Sequence, residues 1–119
     1  MLDVRTIDRE GLERKMAMEP PDNDSKSSGY ALINVLDPVA FARQHIPNSI
    51  NVPLADIDTL VGRYSKRKEI IVYCASLDCD ASPRAAAVLR ESGFEKVYDY
   101  AEGLTDWREA GNRLTMLEH

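Results

Sequence analysis

Two cysteines, Cys74 and Cys79, sit where a thiol can be made reactive. Cys74 ends the run Glu69-Ile-Ile-Val-Tyr-Cys74, and Ala75-Ser-Leu-Asp-Cys79-Asp-Ala-Ser82 follows. Next comes Pro83-Arg-Ala-Ala-Ala-Val-Leu-Arg-Glu-Ser-Gly93. If that last segment is a helix, its unpaired N–H groups and its dipole favour negative charge, and a thiolate facing them is stabilised. Successive loop N–H groups can also cradle an anionic substrate or a bound sulfur atom. The alternative is a small buried hydrophobe, a common fate of a free cysteine.

Local pattern supplies the elements that must position the thiol. Ile70, Ile71, Val72 and Tyr73 are β-branched or aromatic over too short a run for a helix, and predict a buried strand. Ser82 is suited to cap the following helix and Pro83 to occupy its first position, where a missing N–H is harmless. Ala85, Ala86, Val88 and Leu89 form an apolar stripe at helical spacing, and Gly93 suits the left-handed residue that ends a helix.

The rest of the chain repeats the alternation. Val4 to Ile7 predicts a short edge strand, and Asp8 caps a weak helix to about Met18 with Leu12 and Met16 inward. Residues 19–29 are polar and rich in helix breakers, which predicts a mobile surface loop. Tyr30 to Val35 reads as a central strand, and Asp37-Pro38 opens a short helix that turns Phe41 and Ala42 inward. His45 to Pro53 is a turn leading into a brief strand. From Asp56, Ile57, Leu60, Val61 and Tyr64 fall at α-helical spacing. Lys96 to Tyr100 is a further strand, and Gly103 to Gly111 a last short helix with Leu104 and Trp107 on one side. Strands alternating with helices imply right-handed crossovers and a mainly parallel sheet covered on both faces, an α/β fold in three layers. Ligand sites in such sheets lie beyond the carboxyl ends of the strands, and Cys74 is at one.

Composition bounds the rest. At 119 residues, 44% hydrophobic and 29% charged, the chain fits one globular domain. A net charge of −5 argues against a nucleic-acid partner, which needs a basic face. Lys66-Arg67-Lys68 is the one basic cluster and reads as a solvated turn. No apolar run suggests a membrane partner or a signal peptide, so the expected compartment is a reducing cytoplasm without structural disulfides. Leu117-Glu118-His119 looks like the remnant of a purification tag, which leaves residues 1–116 as the domain.

Taken together these residues resemble the rhodanese-like domain over nearly the whole chain. The resemblance is carried by Leu32-Ile33-Asn34-Val35, by Phe41 through His45-Ile46-Pro47 to Asn51-Val52-Pro53, and by Tyr73-Cys74. It continues in Ala85-Ala86 with Leu89 and Gly93, and in Glu102-Gly103-Leu104 with Trp107. It implies a five-stranded parallel sheet and a sulfurtransferase in which Cys74 accepts a sulfane sulfur as a persulfide. The donor would be thiosulfate or a persulfide, and the acceptor cyanide, a thiol or an acceptor protein. By the same resemblance the loop Ala75, Ser76, Leu77, Asp78, Cys79, Asp80, Ala81 and Ser82 wraps the persulfide with backbone N–H groups. His45 is then structural, and Trp107 belongs to the core.

The loop departs from the family pattern Cys-x-x-Gly-x-Arg-Ser. It is two residues longer and has neither the glycine nor the arginine, while Asp78 and Asp80 place negative charge beside a site meant for anions. Arg84 is the candidate anion contact that would compensate. Asn34 and Leu36 likewise replace the acid and base of the family's Asp-Val-Arg. Cys79 is the candidate resolving thiol, able to close a disulfide with Cys74, which leaves a dithiol redox protein as an alternative. A catalytically inactive module for protein binding is the other. Two cysteines and His45 fall short of a zinc site, and no cofactor is expected.

Overall fold

The computed structural model describes residues 4–116. The suspected tag residues 117–119 lie outside them. Five strands form one parallel sheet in the order β1-β5-β4-β2-β3: β1 (Arg5–Thr6), β2 (Tyr30–Asn34), β3 (Ile50–Asn51), β4 (Glu69–Tyr73) and β5 (Lys96–Tyr100). The α-helices are α1 (Arg9–Met18), α2 (Pro38–Arg43), α3 (Ala81–Glu91) and α4 (Gly103–Glu109).

Burial on both sides explains why β2 and β4 read as unbroken apolar runs rather than alternating ones. Ile33, Ile70, Val72 and Cys74 pack under α3 with Ala85, Ala86 and Leu89. Leu32, Ile71 and Tyr73 pack on the other face with Leu12 of α1 and with Leu104 and Trp107 of α4. The expected three-layer arrangement is therefore present. Asp8 and Asp37 cap α1 and α2 as read, accepting from Gly11 N at 2.7 Å and Ala40 N at 2.9 Å.

Three local expectations need correction. The segment after β3 is a 3₁₀ helix, Leu54–Gly62, rather than an α-helix from Asp56. Three residues per turn keep Ile57 and Leu60 stacked inward but swing Val61 about 120° away, so Val61 is 41% exposed.

Lys68 is not solvated. It is 5% exposed, and its ammonium donates to Asp22 O at 2.8 Å, Asp24 O at 3.1 Å and Ser27 Oγ at 2.8 Å. That clamp also changes the reading of residues 19–29, which are tied down rather than loose. Asn23 joins it, accepting from Leu32 N at 3.0 Å through its side chain and from Tyr64 Oη at 2.8 Å through its carbonyl. The Lys68 and Tyr64 partners lie at least 41 residues away in sequence, so local composition could not reveal them.

Candidate active site

Cys74 leaves the end of β4 fully buried. Its carbonyl is held from behind by α4: Leu104 N donates to Cys74 O at 3.0 Å and Thr105 N to Ala75 O at 2.9 Å. Gly103 permits this approach, since its φ is +67° and a Cβ there would collide with the Cys74 and Ala75 backbone.

Ahead of the thiol, α3 begins two residues earlier than expected. Asp80 takes the cap position without a side-chain bond, and Pro83 falls third in the helix, where an N–H still has no carbonyl to meet. Ser82 does not cap. It is buried inside the first turn, and its Oγ accepts from Cys74 Sγ at 3.4 Å. Helix geometry thus turns Ser82 from the terminus onto the sulfur.

The loop presents an acceptor to the thiol. Cys74 Sγ lies 3.5 Å from Cys79 O, while the Cys79 N–H closes a turn on Ser76 O at 3.0 Å. Burial pushes the Cys74 thiol up to about 11, and contact with the Cys79 thiol adds to the rise. Hydrogen bonds from the Ser82 side chain and backbone oppose it without prevailing. The resting group is a thiol, not the helix-stabilised thiolate expected from the sequence, because desolvation outweighs the helix terminus. Both cysteines are free, Cys74 buried and Cys79 half-buried.

Beside the loop, on the side of α4, Ser76, Leu77, Asp78, Glu102, Asp106 and Glu109 line a shallow acidic cleft to which Cys74 does not contribute, and Leu77 is 72% exposed. Arg84 points outward, 3.8 Å from Asp80 with both side chains well exposed. His45 stands away from the sulfur: its Nδ1 bonds Phe41 O at 2.7 Å, its ring stacks on Phe41, and it is 6% exposed. Among the described residues no group of three or more His, Cys, Asp or Glu side chains could hold a metal ion. Nor is any helix long and apolar enough to cross a membrane.

The family model of the rhodanese-like domain matches residues 17–110. The chain belongs to the rhodanese-like family. It is 32% identical over 91 residues to the thiosulfate sulfurtransferase GlpE of Pseudomonas syringae pv. syringae, covering 75% of this chain and 84% of that one. A sulfurtransferase of Allochromatium vinosum is 24% identical over 91% of this chain and 92% of its own length. An HTH-type transcriptional regulator of Mycobacterium tuberculosis, Rv0324, is 30% identical over 67% of this chain, which spans only 35% of that regulator. Among solved structures, the BH2092 protein of Bacillus halodurans superimposes with a TM-score of 0.79 at 26% identity, covering 94% of this chain and 77% of that one. The chain thus spans most of the length of some of these relatives and about a third of another.

Sequence reasoning missed Asp99. It lies on β5, 2% exposed, where a buried carboxyl in an interior strand needs an explanation. The signal was present: in Val97-Tyr98-Asp99-Tyr100 the acid takes a core-facing position beside Val97.

Proposed function

We propose that this rhodanese-like domain is a sulfurtransferase in which Cys74 carries a sulfane sulfur. The observation that carries the reading is the sulfur's position at the end of an interior parallel strand, between the first turn of α3 and the loop 75–82. In the reaction the Cys74 thiolate attacks the outer sulfur of the donor. A new S–S bond forms as the donor's own S–S bond breaks, and the leaving group (sulfite from thiosulfate, a thiolate from a persulfide) departs with the electron pair. An acceptor thiolate then attacks the outer sulfur of the Cys74 persulfide, and the Cys74 thiolate leaves.

Asp78 and Asp80 within the loop that follows Cys74 disfavour the thiosulfate dianion and favour a neutral or thiol-borne persulfide donor. The Cys79 carbonyl, 3.5 Å from Sγ, must swing away before the N–H groups of residues 75–79 can turn to an added sulfur, so full wrapping of a persulfide requires the loop to rearrange. Arg84 would have to leave Asp80 to meet an anion.

A second reading has its own observation: Cys74 Sγ lies 3.5 Å from the Cys79 carbonyl and both cysteines are free, which suits a dithiol that cycles through a Cys74–Cys79 disulfide. One experiment separates them. The reduced protein is incubated with thiosulfate or with a low-molecular-weight persulfide, and its peptide masses are measured. A gain of one sulfur on Cys74, retained in Cys79→Ser and lost in Cys74→Ala, is the expected result, and the persulfide is expected to load faster. Loss of two hydrogens linking the cysteines without sulfur gain would establish the dithiol reading. No change in folded protein would leave a binding module.

A further inference from the structure

At the amino ends of the strands, away from the sulfur, the chain gathers positive charge around a cavity. The loop 25–28, the turn before β4 and the first residue of β5 border an open space of about 380 Å³, within the roughly 300–1,000 Å³ of small-molecule sites. Lys26, Arg67, Lys68 and Lys96 line it, and every other lining residue is a serine. Among the described residues no carboxylate or aromatic side chain lines it. Four like charges share one cavity in a chain of net charge −5, an arrangement that mutual repulsion opposes and a bound anion relieves.

The walls are fixed by bonds between segments distant in sequence. Lys68 is 5% exposed, and its three ammonium protons are committed to Asp22 O, Asp24 O and Ser27 Oγ. It therefore supplies charge and holds the loop in place, and the other cations must make the ligand contacts. Lys68 N donates to Ser65 O at 2.9 Å, and Glu95 N to Lys66 O at 3.0 Å, which sets the start of β5 beside the turn. Ser65 Oγ accepts from Arg67 N at 3.2 Å and keeps its own proton for a ligand. Among the described residues Lys26, Arg67 and Lys96 form no salt bridge. The nearby acids are engaged elsewhere: Asp22 and Asp24 act on Lys68, and Glu69 pairs with Lys15 at 2.6 Å.

We propose that this cavity binds a phosphate group, either the free ion or the monoester of a small polar molecule. The planar Arg67 guanidinium suits two oxygens of a tetrahedral dianion at once, while Lys26 and Lys96 act as point charges. Serine hydroxyls meet the remaining oxygens. With no aromatic side chain in the lining to stack on a ring, the rest of the ligand is small and polar. Strand β4 separates Lys68 from Cys74 by roughly 20 Å of extended chain. The site is thus independent of the sulfur chemistry and lies at the opposite end of the sheet from the acidic loop 75–82.

Amide NMR of the isotope-labelled full chain tests this. Inorganic phosphate is titrated in at about pH 8, where phosphate and its monoesters are mainly dianions, with ionic strength held constant by sodium chloride. Saturable shifts are expected in residues 25–28 and 65–68 and at Lys96, with none in residues 75–82. Arg67→Gln should weaken binding about tenfold, and Arg67→Gln combined with Lys96→Gln should abolish saturation. Arg14→Gln, which removes an exposed cation of α1, should change nothing. Lys68 is left intact because it holds residues 22–27. The spectra themselves report that each variant is folded. Methyl phosphate in a parallel titration separates the two sources: tighter binding than phosphate assigns the site to a monoester, weaker binding to the free ion.

Shifts that rise linearly without saturating, that spread over the other cations of the surface, or that survive in the double variant would overturn the proposal. The basic cluster would then be a solvated turn and no more. Cys74→Ala should bind phosphate as its parent does. Saturable binding in a protein that never gains sulfur refutes the sulfur-transfer reading and leaves this site standing.

Discussion

Gly103→Ala offers a sharp test of how the site is held. We predict a large loss of stability from this one methyl group. At φ +67° an alanine is in the left-handed region, which costs about 1–2 kcal/mol. The new Cβ would also lie 2.9 Å from Ala75 C and 3.0 Å from Ala75 O, and closer still to Cys74 O. These are backbone atoms, so relief requires α4 and the end of β4 to separate. Separation stretches the bonds from Leu104 N and Thr105 N, worth about 1 kcal/mol each. The expected total is roughly 3–4 kcal/mol, or a fall of about 10–20 °C in Tm.

Gly111→Ala is the matched control, because its φ is +86° but a Cβ there meets nothing within 4 Å. It should lose only the backbone part, about 1–2 kcal/mol. Urea denaturation of both variants reads the difference directly. Equal losses, or less than about 1 kcal/mol for Gly103→Ala, would refute the claim that α4 is clamped against the Cys74 carbonyl.

Other predictions concern the buried thiol and the loop clamp. The folded-state pKa of Cys74 is raised from 9.0 to about 11, so folded protein holds this proton more tightly than unfolded protein. The resulting stability is fully present below about pH 9 and is lost as pH rises towards about 11. Its size is about 2–3 kcal/mol, read as the difference between the pH–stability curves of the parent and Cys74→Ala; parallel curves would refute it. Lys68→Met should release Asp22, Asp24 and Ser27, lowering stability by about 1–3 kcal/mol. It should also speed limited proteolysis within residues 19–29, and unchanged cleavage would show that the clamp is not what orders the loop.

Much of the fold was legible because its signals are local. A run such as Ile70-Ile71-Val72-Tyr73 needs no partner to favour extended backbone, and Asp8 and Asp37 cap their helices with their own side chains. The thiol's place at the end of β4 followed from strand–helix alternation and the position of ligand sites in parallel sheets. What sequence could not decide were quantities set by neighbours distant along the chain. Burial determined the ionisation of Cys74, reversing the sign expected from a helix terminus alone. The true start of α3 turned Ser82 onto the sulfur, and sheet register set Asp99 on the same face as Cys74. Lys68 became a clamp only because residues 22–27 fold back over it. Residue type and spacing specify what a group can do; desolvation and long-range juxtaposition, which exist only in the packed state, select which of those things it does.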